Sequence, residues 1–110
     1  MGVEGLWTIQ FRSSLRDFGA GVVVLTNNKI LGGDAGFWYS GDYSIRNGHV
    51  TSKVLVARFT PGHISVFGDI DQFQLDFTAD FTENSFAGTA SIPGHSKLTM
   101  EIRGNKKQDL

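Results

Sequence analysis

The stretch that decides the fold reads Gly32-Gly33-Asp34-Ala35-Gly36-Phe37-Trp38-Tyr39-Ser40-Gly41. Its first glycines permit positive φ or a close backbone approach, which a tight turn at the rim of a barrel requires. The three consecutive aromatic residues then place large side chains on both faces of one strand. We therefore expect the rest of the chain to be built around this strand.

Apolar and polar residues alternate with period two on both sides of this stretch, a pattern that is typical of strands with one buried face. Asn27-Asn28 and Asn47-Gly48 are two-residue hairpin signals, because Asn and Gly tolerate positive φ. Residues 60–72 break the alternation and are long for a hairpin loop, so we expect them to cross a barrel mouth or edge. The predicted strands are residues 6–13, 18–26, 29–33, 37–46, 49–59, 73–81, 86–92 and 98–102.

Eight consecutive strands and no convincing helix predict an all-β fold, in one domain over residues 1–110. Antiparallel strands in hairpin order close naturally into an up-and-down barrel, which removes exposed edges. A two-sheet sandwich is the competing architecture. We prefer the barrel because the long strands follow one another as hairpins.

The alternation also predicts which side chains face the barrel interior. An eight-stranded barrel is just wide enough to be filled by side chains or to hold one small ligand. The predicted interior residues, which would line a cavity for an apolar ligand, are Trp7, Phe11, Phe37, Tyr39, Phe73, Leu75, Phe77, Met100 and Ile102.

The second strand is apolar on both faces, which a barrel strand with one wet face does not need. If Val23 and Leu25 face inward, the residues between them face water, and Trp38 does the same if its aromatic neighbours face in. Apolar residues in one exposed patch usually mark a contact surface, whereas scattered ones are common and carry no meaning. We predict a homodimer whose interface contains Ala20, Val22, Val24 and Trp38.

Charge and composition exclude several classes of function. The formal net charge is −1, so there is no basic excess to neutralise the phosphates of a nucleic acid. Cysteine is absent, which excludes disulfides and fits a reducing compartment. No apolar run approaches the roughly 20 residues of a membrane helix, and residues 1–6 lack the features of a signal peptide. We therefore expect a cytoplasmic protein without nucleic-acid or membrane partners, and we interpret Lys106-Lys107 as part of a solvated terminus.

Titratable residues show no motif for catalysis or metal binding. The three histidines are far apart in the sequence, so we interpret them as surface residues, and we expect no metal site. Asp69 and Asp71 share a face of an extended segment and suit either a cation or, as we prefer, a polar loop. Asp34 suits a polar group at the rim or, as we prefer, an Asx turn. Without a nucleophile, phosphate or dinucleotide motif, we expect neither an enzyme nor a cofactor.

The first strand opens with Gly5-Leu6-Trp7, which resembles the Gly-x-Trp signature of lipocalins. In that family the tryptophan packs under an arginine late in the chain. The resemblance implies that Arg103 stacks on Trp7, since the first and last strands of a closed barrel are neighbours. A core tryptophan at the start of a strand is the alternative.

A longer set of residues resembles the GrlR-like family, which is named for a negative regulator of type III secretion. The matching residues are Gly32-Gly33-Asp34, Tyr39-x-Gly41, Arg58, Thr60-Pro61-Gly62-x-x-Ser65-Val66-Phe67-Gly68 and Phe73-Gln74-Leu75. The resemblance covers roughly residues 3–104. It implies a lipocalin-like eight-stranded barrel, a dimer, an apolar cavity and a regulatory role through a protein partner.

Our leading hypothesis is a non-enzymatic regulatory protein that binds a protein partner and is modulated by a small apolar ligand in the barrel. The alternative is a lipocalin-like carrier of a lipid or hydrophobic small molecule. A barrel enzyme with a site assembled across strands is the third.

Overall fold

Eight β-strands form a closed antiparallel barrel in the computed structural model, which describes residues 2–110. Met1, the first residue of the predicted domain, lies outside the described residues. The first and last strands pair along most of their length, which confirms the barrel and excludes the sandwich. The strands are β1 (Gly5–Ser13), β2 (Phe18–Thr26), β3 (Lys29–Gly33), β4 (Phe37–Arg46), β5 (His49–Arg58), β6 (Gln72–Phe81), β7 (Ser85–Ile92) and β8 (His95–Gln108).

The hairpin turns have the backbone geometry that the sequence predicts. Asn27 and Asn28 both adopt positive φ, at 49° and 62°, and Asn47 and Gly48 do so at 52° and 79°. Positive φ at both central positions is characteristic of the type I′ turn, whose twist matches that of the flanking strands. These two turns therefore fix the register of β2 with β3 and of β4 with β5.

The main difference from the predicted strands lies at the carboxyl end of the chain. The prediction ended the last strand at residue 102, whereas β8 continues to Gln108. The interpretation of Lys106 as part of a solvated terminus is wrong, because its side chain is only 6% exposed. Residues 103–106 pair with β1, and pairing with a neighbour decides strand formation more than intrinsic propensity does.

The two ends of the barrel differ, and we call them the closed end and the mouth. The closed end carries the tight turns at 27–28, 47–48 and 82–84, and the mouth carries the connections at 14–17, 34–36, 59–71 and 93–94. None of the residues from 2 to 110 forms a helix long and apolar enough to cross a membrane.

Aromatic side chains fill the closed end. Trp7 is fully buried, and its ring centroid lies 5.1 Å from that of Phe81 and 5.4 Å from that of Phe86. The two phenylalanine rings stack on each other at 4.5 Å. The indole nitrogen of Trp7 donates a hydrogen bond of 2.9 Å to the carbonyl of Val3, so its one polar atom is satisfied.

The cation over Trp7 is Lys106, and the expectation that Arg103 stacks there is wrong. The Lys106 ammonium lies 5.6 Å from the Trp7 ring centroid. Arg103 lies opposite Gln10, an exposed residue of β1, and is itself exposed. The register of β1 with β8 therefore turns the Arg103 side chain outward and places Lys106 opposite Trp7.

The connection at 59–71 crosses the mouth, as the sequence predicts. Its Phe67 is buried and packs edge to face on Phe73 at 5.6 Å. Arg58 holds the far end of the connection through ion pairs to Asp69 at 2.7 Å and Asp71 at 3.1 Å. These carboxylates therefore belong to a polar loop, as preferred, and anchor it to the end of β5.

Candidate ligand-binding site

An apolar cavity of about 270 Å³ lies inside the barrel and reaches the mouth. Most of its wall consists of inward-facing side chains from the strands, and residues 63–66 of the mouth connection cover part of it. Phe81 and Phe86 belong to both the cavity wall and the cluster around Trp7, so they form the floor. The volume is close to the lower limit of about 300 Å³ for drug-sized ligands, which fits one small molecule in an eight-stranded barrel.

The structure brings all the predicted interior residues except Trp7 to this cavity. Those that line it are Phe11, Phe37, Tyr39, Phe73, Leu75, Phe77, Met100 and Ile102. Trp7 is an interior residue but lies below the floor, because it sits near the start of β1 at the closed end. Its assignment as a cavity residue is therefore wrong, although its inward orientation is as expected.

Part of the lining escaped the sequence analysis. Asp34, Ala35 and Gly36 contribute to the wall from the β3–β4 connection, and residues 63–66 contribute from the long mouth connection. Period-two alternation identifies inward positions only within strands, so it gives no signal for loops that fold over a mouth. The glycines around Asp34 were the one sequence signal for this part of the wall, because glycine permits the close approach of another backbone segment.

The barrel wall is incomplete on one side of the mouth. β3 is short, and its pairing with β2 begins only at Val22, which lies opposite Gly33. Residues 18–21 of β2 therefore extend beyond the end of β3. Phe18 and Ala20 line the cavity there although the alternation of β2 turns them outward, and both are exposed. We call this gap between residues 18–21 and 34–36 the side opening.

Asp34 and Tyr39 form a polar pair in the cavity wall. One carboxylate oxygen of Asp34 accepts hydrogen bonds of 2.9 Å from the backbone N–H groups of Gly36 and Phe37, which confirms the predicted Asx turn. The other oxygen accepts a hydrogen bond from the Tyr39 hydroxyl. Burial, followed by this hydrogen bond and the charge of Asp34, raises the pKa of Tyr39 far above its ordinary value of 10.0. Tyr39 therefore stays protonated and donates to the carboxylate.

His63 lies against the turn that holds Asp34. A Cβ added at Gly36 would be 2.5 Å from the Cβ of His63, so only glycine allows the mouth connection to lie this close. His63 is exposed and lines the cavity, whereas His49 lies outside it and contacts Asp80 at 2.9 Å. Among residues 2–110, no group of three or more His, Cys, Asp or Glu side chains is placed to hold a metal ion.

A separate feature, which we call the outer apolar patch, lies on the outside of β2, β3 and β4. Its core is Val22, Leu31 and Trp38, which are 44%, 45% and 43% exposed. Val22 and Trp38 lie on either side of Gly33, and Val24, which is half-buried, lies opposite Leu31. The predicted interface residues thus lie together on one face, except that Ala20 lies at the side opening. Leu31 was not predicted as an interface residue. Its place beside Ile30 in a short strand could have indicated an outward apolar side chain, because neighbouring residues of a strand face opposite sides.

Comparison with protein-family models finds no match for this chain, and comparison with curated proteins finds none either. The resemblance to the GrlR-like family therefore stays a prediction. Function must be inferred from the cavity, its polar pair and the outer apolar patch.

Proposed function

We propose that this barrel binds one small, largely apolar molecule in the mouth cavity, and that it does so as a binding protein rather than an enzyme. The cavity of about 270 Å³ carries the proposal. Its wall is mostly aromatic and aliphatic with a few polar groups, which is the usual composition of a small-molecule site. The side opening supplies a route from solvent to the cavity.

A fluorescent apolar probe, N-phenyl-1-naphthylamine, tests this proposal. The probe should become brighter on titration with the protein, because its fluorescence rises in an apolar site. Leu75→Trp adds a ring to the cavity wall from β6 and should abolish the increase. Leu31→Trp adds the same ring to an exposed position on β3 and should leave it unchanged.

The controls for this experiment separate lost binding from lost folding. Circular dichroism and the urea unfolding midpoint should show that both variants are folded. Equal binding by the two variants would place the probe outside the cavity. If the wild type binds neither the probe nor a smaller apolar compound such as octanol, the latter measured by calorimetry, the proposal is overturned.

A second candidate, regulation through a protein contact, is favoured by the outer apolar patch. In this proposal two copies of the chain meet through Val22, Val24, Leu31 and Trp38, so each residue contributes twice across a two-fold axis. This candidate is the one that the resemblance to the GrlR-like family implies, and it includes a cytoplasmic location. The cavity ligand would then modulate the contact, whereas in a carrier it would be the cargo.

Light scattering coupled to gel filtration tests the second candidate. The wild type should be a dimer, and the double variant Val22→Lys, Val24→Lys should be a folded monomer, because lysine cannot be buried in an apolar contact without a partner. A monomeric wild type at high concentration would overturn the interface. Native mass spectrometry distinguishes the roles, since a co-purified protein supports the regulator and a monomer that retains only a small molecule supports the carrier.

A further inference from the structure

We infer that the ligand of the mouth cavity carries a positively charged, hydrogen-bond-donating head, as in a protonated alkylamine or arylalkylamine, and that Asp34 beside Tyr39 receives this head. This inference rests on the proposed function, because it requires that the cavity binds a small molecule. It names the chemical class of that molecule, and it excludes carboxylates such as fatty acids.

The polar pair presents acceptors to the cavity. A carboxylate accepts at about four lone-pair positions, and the N–H groups of Gly36 and Phe37 and the hydroxyl of Tyr39 occupy three of them. The only proton of the Tyr39 hydroxyl is already donated to Asp34, so its oxygen can only accept from a ligand. A ligand head placed against this pair must therefore donate hydrogen bonds.

The charge of the wall points to a cation. The wall, within residues 2–110, contains no lysine or arginine, and Asp34 is its only carboxylate. His63, the other titratable group besides Tyr39, is exposed at the rim of the mouth. A buried charge is tolerated only when it is paired, so an ammonium gains a partner here whereas a carboxylate would meet the like charge of Asp34.

The two arginines nearest the cavity do not make the charge of its wall positive. Arg58 is held outside the cavity by Asp69 and Asp71, over the ring of Phe37. Arg12 lies over the ring of Phe18 at 5.6 Å, and its side chain is on the outer face of β1. Neither guanidinium belongs to the cavity wall, and the charge of Arg58 is already matched by two carboxylates.

The cavity volume sets the size of the ligand. A volume of about 270 Å³ equals roughly nine times the share of liquid volume that one water molecule occupies, which is about 30 Å³. An unbranched chain of eight carbons with a one-atom head matches this size. Octylamine, octanol and nonanoate carry the same eight-carbon alkyl chain and therefore make a matched series in which only the head changes.

Competition against N-phenyl-1-naphthylamine at pH 7 tests the inference on the wild-type protein. Octylamine should displace the probe at a concentration about tenfold below that of octanol, because a hydrogen bond to a charged group exceeds a neutral one by about that factor. Nonanoate should displace it more weakly than octanol does. Circular dichroism at each concentration checks that the amphiphile has not unfolded the protein.

Variants assign the preference to Asp34. Asp34→Asn keeps an acceptor for the Gly36 and Phe37 N–H groups but removes the charge, and it should abolish the advantage of octylamine over octanol. Asp71→Asn removes a charge from the mouth connection outside the cavity and should leave the advantage intact. Asp34→Ser also removes the charge while keeping a side-chain oxygen for the turn, and it should abolish the advantage as well, so the inference stays testable if Asp34→Asn fails to fold.

The outcomes separate this inference from the proposed function. If the probe binds but nonanoate competes as well as octylamine, or if Asp34→Asn keeps the preference for the amine, the inference is overturned and the cavity proposal stands. If neither the probe nor any of the three compounds binds, both are overturned.

Discussion

The closed end and the mouth of the barrel are built from the same eight strands, yet one is filled and the other is hollow. At the closed end, Trp7, Phe81 and Phe86 interlock within 5.4 Å of one another. At the mouth, Phe11 and Phe73 are only half-buried and border a cavity of about 270 Å³. The number of strands fixes the width of a barrel, and the inward side chains then decide which half of it remains empty.

Inward-facing glycines contribute to the difference in packing between the two ends. Gly104 on β8 faces the ring of Phe86, and Gly19 on β2 faces the ring of Phe11. In both places the absence of a side chain makes room for an aromatic ring. The Phe86 ring is fixed by its aromatic neighbours, whereas the Phe11 ring has the cavity beside it.

Truncation of one aromatic residue at each end should give the largest contrast in stability. Trp7→Ala should lower the free energy of unfolding by about 3–5 kcal/mol, the usual cost of removing a fully buried tryptophan. Phe11→Ala should lower it by only about 1–2 kcal/mol, because that ring is half-buried and borders an existing cavity. Urea denaturation measures both values, and equal losses would show that the mouth is packed as tightly as the closed end.

Glycine-to-alanine changes at the two ends should give the next largest effect. Gly104→Ala should lower the free energy of unfolding by about 1–3 kcal/mol, because the added methyl group overlaps the fixed ring of Phe86. Gly19→Ala should cost less, because the Phe11 ring can move into the cavity. The displaced ring should in turn weaken binding of the fluorescent probe to Gly19→Ala but not to Gly104→Ala. The reverse order of stability, or unchanged probe binding, would contradict this account.

The sequence predicts the barrel well because the information for strands is local. Alternation and the Asn-containing turns specify seven of the eight strands nearly to their ends, and they identify the inward residues of the mouth half. The Asx turn at Asp34 was also accessible, since an aspartate after two glycines binds nearby N–H groups. These features depend on residues that lie within a few positions of one another.

The remaining features depend on pairing between distant segments, which no local pattern contains. The choice of Lys106 rather than Arg103 as the cation over Trp7 follows from the register of β1 with β8. The side opening follows from the length of β3 relative to β2. Likewise, Asp34 lies at the cavity because the β3–β4 turn that carries it meets the inward side chain of Tyr39. The polar part of the site therefore became visible only in three dimensions.

The two ends should differ in how much their tyrosines contribute to stability at alkaline pH. The folded state raises the pKa of Tyr39 above its ordinary value of 10.0, so this contribution to stability is complete below about pH 10 and is lost as the pH rises towards the folded pKa. Above pH 10 the free energy of unfolding should fall by about 1.4 kcal/mol per pH unit through Tyr39 alone. Burial and the charge of Glu4 raise the pKa of Tyr43, near the closed end, in the same direction.

Two variants measure these contributions. Urea denaturation from pH 8 to pH 11 should give a flatter pH dependence for Tyr39→Phe than for the wild type. Tyr43→Phe should flatten it less, because the shift at Tyr39 is the larger one. If Tyr39→Phe retains the wild-type slope, the hydroxyl of Tyr39 is not buried against Asp34 as described.

The smallest effect concerns the cation that covers the closed end. The Lys106 ammonium donates hydrogen bonds of 3.0 Å to the carbonyl of Gly2 and 2.9 Å to Asp109 while it lies over the ring of Trp7. Lys106→Met keeps an apolar stem of similar length on the ring and removes the charge. This change should lower the free energy of unfolding by about 0.5–1 kcal/mol, the usual size of a cation–π contact. Lys107→Met, at the neighbouring exposed position, should change it by less than that, and equal losses would mean that Lys106 acts only through the net charge of the chain.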